Sequence, residues 1–254
     1  KMKNLQPKID KEKGFKVIPL SWTENPQSLV YQAMHQCYSN EIVGEEVLQF
    51  SEKKCGEIAV KRLLAGERGH YGSLEHPTIT FSIGNYPNSL ISQLRTHRVG
   101  VSFDVQSRRY TKIVEEILEN ESDERLPDEV IDKYFYLRKP GEYMTRIGKY
   151  NYSEKDYESM KRSILKSLKT YLELIENIDA EHAREVLPVS MRQNFVFSGN
   201  LRSLMHILDL RCKPNAQLEI VHLSDFIYEI MCEWAPEIME YYTEKRYKKA
   251  KLAP

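Results

Sequence analysis

Two hydrophobic periods organise the chain. Thr78-Ile79-Thr80-Phe81-Ser82-Ile83 alternates polar and apolar residues, the pattern of a half-buried strand. Between residues 154 and 178, Tyr157, Met160, Ile164, Leu168, Tyr171, Ile175 and Ile178 recur by threes and fours. That spacing predicts a long amphipathic helix, set in the core or at a subunit interface. Shorter patterns fill in the rest. Phe15–Leu20 reads as a first strand ended by Pro19, and residues 27–38, 44–51 and 56–68 read as helices, the last stopped by Gly69. Residues 69–77 form a turn-rich loop, and Asn85-Tyr86-Pro87-Asn88 turns the chain. Ser89 would cap a helix from 90 to about 98, followed by a loop at 99–106 and a strand beginning near Arg108.

In the second half, residues 115–133 read as an acidic, helical surface excursion, and the aromatic and basic segment 134–143 as a hairpin or lid. Phe195-Val196-Phe197 is a short strand, Ser198-Gly199 a turn, and Asn200 the cap of a helix over 201–210. A last helix spans roughly 215–234, ended by Pro236 and followed by a basic tail. Strands interspersed with helices, without repeats or linkers, predict one α+β domain over residues 15–250 behind a flexible Lys-rich segment at 1–14.

Composition narrows the function. With 37 Lys+Arg against 37 Asp+Glu, the formal net charge is zero, which argues against bulk binding to nucleic acid or anionic membrane. Hydrophobic content of 41% suits a soluble globular protein. Cys37, Cys55, Cys212 and Cys232 lie far apart without C-x-x-C spacing, so reduced thiols are expected and structural zinc is not. No apolar run is long enough to span a bilayer, and the Lys-rich start lacks the apolar core of a signal peptide. A cytoplasmic protein is expected.

Against that neutral background, Ser92 to Tyr110 holds four arginines, a histidine, three serines and two glutamines among short apolar residues. Arginine forks and hydroxyls at this density suit capture of a phosphate. Arg184, Arg192, Arg202 and Arg211 form a second set, with Arg202 and His206 on one face of a helix that begins at a cap. A small nucleotide fits better than an RNA strand, because Phe103 and Tyr110 are the stretch's only aromatics. His70, Glu75 and His76 match no H-E-x-x-H helix, the glycines of 66–72 lack dinucleotide-fold spacing, and there is no P-loop. No metal site is expected.

Several blocks in one order resemble the flavin-dependent thymidylate synthases. Their R-H-R signature, followed by seven or eight residues and then S-x-R-Y, stands here as Thr96-His97-Arg98, eight residues, and Ser107-Arg108-Arg109-Tyr110. Around it lie Gly69–His76, Gln93, Ala183–Pro188, Asn200–Met205, Leu210-Arg211 and Ala216-Gln217, so that the similarity spans roughly residues 15–245. Thr96 departs from the signature, which has arginine there.

The resemblance implies a mostly antiparallel sheet flanked by long helices, FAD as cofactor, dUMP as substrate, 5,10-methylenetetrahydrofolate as carbon donor and NADPH as reductant. It also implies a homotetramer with active sites shared between subunits. Carried onto this chain, Gln93, Leu94, Arg95, Thr96, Gln106, Ser107, Arg108, Arg109, Arg184 and Arg211 would surround dUMP. Gly72, Ser73, Glu75, Thr96, His97, Arg98, Val105, Asn200, Leu201, Arg202 and His206 would surround FAD. No cysteine falls in these blocks, so a reduced flavin would replace the thiolate route to the pyrimidine. Arg211 would act catalytically, stabilising negative charge on the pyrimidine.

Overall fold

A computed structural model of the chain describes residues 4–44, 48–66, 70–111, 113–119, 126–145 and 148–249. Its centre is a five-stranded antiparallel sheet in the order β1-β2-β3-β7-β4: Lys8–Ile9, Lys16–Trp22, Thr78–Pro87, Arg192–Asn200 and Val101–Val105. A separate hairpin pairs β5 (Gly141–Thr145) with β6 (Gly148–Tyr152). The helices are α1 (Pro26–Gln36), α2 (Glu52–Ala59), α3 (Asn88–Leu94), α4 (Ile113–Glu119), α5 (Asp128–Tyr134), α6 (Glu154–Ile175), α7 (Ala180–Ala183), α8 (Leu201–Arg211), α9 (Leu218–Trp234) and α10 (Pro236–Lys245).

One core lies on the sheet face that carries Ile79, Phe81, Ile83 and Phe197, and is closed by α3, α8, α9 and α10. A second gathers Val114, Ile117, Leu126, Ile131 and Phe135 against Ile164, Leu168 and Tyr171 of α6. Tyr157, Ile164, Leu168 and Tyr171 of the α6 periodicity pack as expected, whereas Met160 is exposed and Ile178 lies exposed beyond the helix end at Ile175. A reciprocal Ser153–Asp156 capping box starts the helix.

Tertiary contacts override several sequence readings. Residues 115–133 are no surface excursion, since Ile117, Leu126 and Ile131 are buried; residues 120–125 lie outside the described ones. Leu5 is buried, and the Asp10 carboxylate accepts from Lys13 Nζ and lies 2.9 Å from His222 Nε2, so residues 4–14 are tied down rather than frayed. β2 runs through Pro19, with a register shift between Pro19 and Ser21 that absorbs the missing N–H. Residues 48–51 are not helical and 45–47 lie outside the described residues; the helix starts at Glu52, capped by Ser51, and continues as one wide turn over Val60–Leu64. The expected stop at Gly69 also lies outside them. Pro87, not Ser89, precedes α3, which ends at Leu94 rather than 98. The supposed loop 99–106 contains β4, whose V-S-F-D-V alternation was legible but masked by its arginine-rich flanks, and Arg108 lies in a turn. Ser198-Gly199 is strand, not turn. Pro236 opens α10 instead of ending the chain's last helix, because the first turn of a helix needs no N–H from it.

Candidate active site

The site is assembled where the C-terminal turn of α3 meets the N-terminus of α8. Asn200 caps α8, its side chain accepting from Ser203 N at 2.8 Å, while its own N–H donates to Gly100 O at 3.0 Å. Ser203 Oγ donates to Val99 O at 2.7 Å. Gly100 has φ 66°, and a Cβ there would run into the Asn200 amide and the Ser203 hydroxyl. Glycine is required by both conformation and space. The turn 95–100 is thus stitched to the first turn of α8.

A cleft of about 460 Å³ opens at this junction, lined by Glu75, Thr96, His97, Arg98, Val99, Arg202, Ser203, His206 and Ile207. Six of these were singled out from sequence; Val99, Ser203 and Ile207 were not. Ser203 stands three residues past the Asn200 cap, a spacing that could have flagged it. Arg202 Nη1 pairs with Glu75 Oε1 at 2.6 Å, and its guanidinium lies 6.0 Å from the Tyr71 ring centre. His97 and His206 meet edge to face at 6.0 Å.

Arg211, at the far end of α8, reaches back to the α3 turn. Its Nε donates to His97 Nε2 at 3.1 Å, and its Nη2 donates to Gln93 O at 3.0 Å and Thr96 Oγ1 at 2.9 Å. Burial, then the Arg211 charge, then His206 push the His97 pKa down to about 4. The imidazole is therefore neutral, as its role as acceptor from Arg211 requires. Burial also lowers the Arg211 pKa from its ordinary value.

The remaining sequence-derived residues are distributed unevenly. The Gln93 amide donates to Gln217 Oε1, bringing in a residue that sequence reasoning had noted only within a motif block. Arg95 and Arg98 are exposed. Gly72 and Ser73 lie in the short helical turn Tyr71–Glu75 beside the cleft, and a Cβ at Gly72 would meet nothing. The Leu94 and Leu201 side chains are 1% and 0% exposed and belong to the core, which leaves only their backbone to face the site. Val105 packs on the same core, and Asn200 is engaged as a cap.

Arg108 is turned inward, donating to Arg192 O and, at 2.9 Å, to Gln193 Oε1, with its Nη1 buried and unpartnered. Burial pushes its pKa down to about 10. Arg192 likewise serves the fold, donating to the carbonyls of Asp132, Phe135 and Asn85. Gln106 is held by its backbone, which pairs with Asn194 O and the Gln193 amide. Arg109 and Arg184 instead converge on Glu181, through an ion pair at 3.4 Å and a bond to its carbonyl at 3.2 Å. Ser107 Oγ accepts from Arg109 N at 3.3 Å. Their hydrogen bonds stay within this second cluster and do not reach the cleft.

Residues 20–237 match the family described as "Thymidylate synthase complementing protein". The chain is 31% identical to the flavin-dependent thymidylate synthase of Haloarcula marismortui over 92% of this chain and 98% of that one. It is 30% identical to that of Clostridium tetani over 91% and 88%. Among solved structures, the fold resembles thymidylate synthase X of Helicobacter pylori with FAD and dUMP, at 22% identity and a TM-score of 0.65, covering 89% of this chain and 97% of that one. It also resembles the UMP/dUMP methylase PolB of Streptomyces cacaoi bound with 5-Br dUMP, at 22% identity and a TM-score of 0.67, covering 94% and 97%. With residues 20–237 matched by the family and a relative 31% identical over 92% of the chain, the protein belongs to the flavin-dependent thymidylate synthase family.

Proposed function

We propose that this protein is a flavin-dependent thymidylate synthase that methylates dUMP reductively to dTMP. The carbon comes from 5,10-methylenetetrahydrofolate and the reducing equivalents from NADPH. Family membership carries the reaction, and the arrangement around Arg211 is the observation that ties it to this chain.

The α3–α8 cleft is the FAD site. Its side chains fit an anionic flavin nucleotide: Arg98 and Arg202 bring two guanidiniums, and the neutral His97 imidazole lines the same volume, as does the His206 ring. Glu75 orients Arg202 through their ion pair. FAD bound here and reduced by NADPH would supply the hydride that takes the one-carbon unit to a methyl group, so that tetrahydrofolate leaves unoxidised. Thr96 borders both this cleft and Arg211.

Gln93, Arg95, Ser107, Arg109, Arg184 and Arg211 serve dUMP. Arg109, Arg184 and Ser107 suit the nucleotide phosphate, for which Glu181 is the present stand-in. Arg211 faces the pyrimidine and stabilises the negative charge that develops there. Separation of this phosphate cluster from the cleft within one chain supports a homotetramer, in which one copy's cluster completes another's site. Four free cysteines support a cytoplasmic protein. The alternative, a non-catalytic nucleotide- or RNA-binding module, is not favoured, because 37 Lys+Arg balance 37 Asp+Glu and the relatives matched over most of the chain are enzymes.

The test is direct. Purified protein should show flavin absorption and form dTMP from dUMP, methylenetetrahydrofolate and NADPH. Failure to take up FAD together with no dTMP would overturn the reading.

A further inference from the structure

We propose that Thr96 is the positioning residue for Arg211: its hydroxyl fixes one edge of the guanidinium so that only Nη1 is presented to substrate. The family resemblance leaves this position open, since the signature has arginine there. Local geometry supplies a reason for threonine.

α3 ends at Leu94, so the Gln93 carbonyl receives only a long 3.4 Å backbone bond from Thr96 N in place of a regular helical one. Thr96 Oγ1 donates to that carbonyl at 2.8 Å, which uses the hydroxyl's single hydrogen and leaves its lone pairs to accept. Arg211 Nη2 donates to this same oxygen at 2.9 Å and to Gln93 O at 3.0 Å. Both Nη2 hydrogens are thereby engaged. Nε is engaged by His97 Nε2 at 3.1 Å. Three acceptors drawn from residues 93, 96 and 97 therefore hold two of the three guanidinium nitrogens, and they do so at the negative end of a short helix, where a cation is favoured. Nη1 has no protein hydrogen bond among the described residues, so its two N–H groups are what the clamp leaves to aim.

An arginine at position 96 would bring donors only and a second positive charge beside Arg211. Valine has the shape of threonine but cannot accept. Serine keeps the hydroxyl. The substitution pattern thus separates acceptor chemistry from bulk.

The kinetic consequence rests on the thymidylate synthase reading, whereas the clamp does not, and two measurements keep them apart. In FAD-loaded protein, Thr96→Val should lower kcat/KM for dUMP about 10- to 100-fold, mostly through kcat, with flavin uptake unchanged; this is the size expected for one hydrogen bond to a charged group. Thr96→Ser should restore turnover. In parallel, the Arg211 Nε–H signal of ¹⁵N-arginine-labelled protein should exchange slowly with solvent in the wild type and Thr96→Ser, and faster in Thr96→Val. Unchanged exchange and turnover in Thr96→Val would overturn the clamp. So would lost flavin uptake with unchanged exchange, since Thr96 would then be a ligand contact instead. If the wild type forms no dTMP, the functional reading fails and the exchange measurement alone decides the clamp.

Discussion

The arginine-rich stretch folds into two ends that treat the same side chain in opposite ways. At its N-terminal end, the turn after α3 offers acceptors (Gln93 O, Thr96 Oγ1, His97 Nε2) and imports a guanidinium, Arg211, from 114 to 118 residues downstream. At its C-terminal end, the turn after β4 carries its own arginines, and they are already engaged. Arg108 points inward to the β7 backbone, and Arg109 points outward to Glu181. Arginine density in a sequence marks a place where anions or carbonyls are gathered. It does not say which forks remain open to a ligand; the acceptors that surround each one decide that.

Four experiments probe this contrast. Arg211→Ala should have the largest effect, lowering kcat about 10²- to 10³-fold, the range for losing a donor aimed at developing charge. Steady-state dTMP formation beside thermal unfolding checks it, and near-normal turnover would mean that the N-terminal end is not the reactive one. Arg108→Ala should act on the other variable. Leaving Gln193 and the Arg192 carbonyl without their donor should cost about 1–3 kcal/mol in urea unfolding, while KM for dUMP stays at the wild-type value. A raised KM with unchanged stability would make Arg108 a ligand contact after all.

The third concerns pH. Folding lowers the His97 pKa from 6.5 to about 4, so the unfolded chain binds more protons between those values. Stability from this group is complete above about pH 6.5 and is lost as pH falls toward 4. Thermal unfolding across that window should steepen for the wild type relative to His97→Gln, which retains an acceptor. Parallel curves would show that His97 is not held neutral. The smallest effect is expected for Glu181→Gln. An exposed pair is worth roughly 0–1 kcal/mol, so unfolding should barely change, but releasing Arg109 should lower KM for dUMP. A higher KM would instead make Glu181 an organiser of the phosphate cluster.

Much of the architecture was readable because its signals are local. The β3 alternation, the α6 stripe behind Ser153 and the Asn200 cap depend on neighbours within a few residues, and each appears in the structure where those neighbours place it. The ordered motif blocks likewise identified the family and six of the nine side chains that line the cleft, because a family signature records particular side chains at particular spacings. Other features depend on contacts distant in the chain. Leu94 follows the motif residue Gln93 and Leu201 sits in a motif block, yet both face the core, since a helix presents residues to both sides and only packing chooses which side is wet. The packing of residues 4–14 depends on His222 and Glu233, the strand passing through Pro19 on a compensating bulge, and the burial of α4 and α5 on α6. The pairing of Arg211 with the α3 turn is of the same kind. Periodicity and capping are short-range physics and are written along the chain, whereas the partner of a charged group is set by which surfaces the fold brings together.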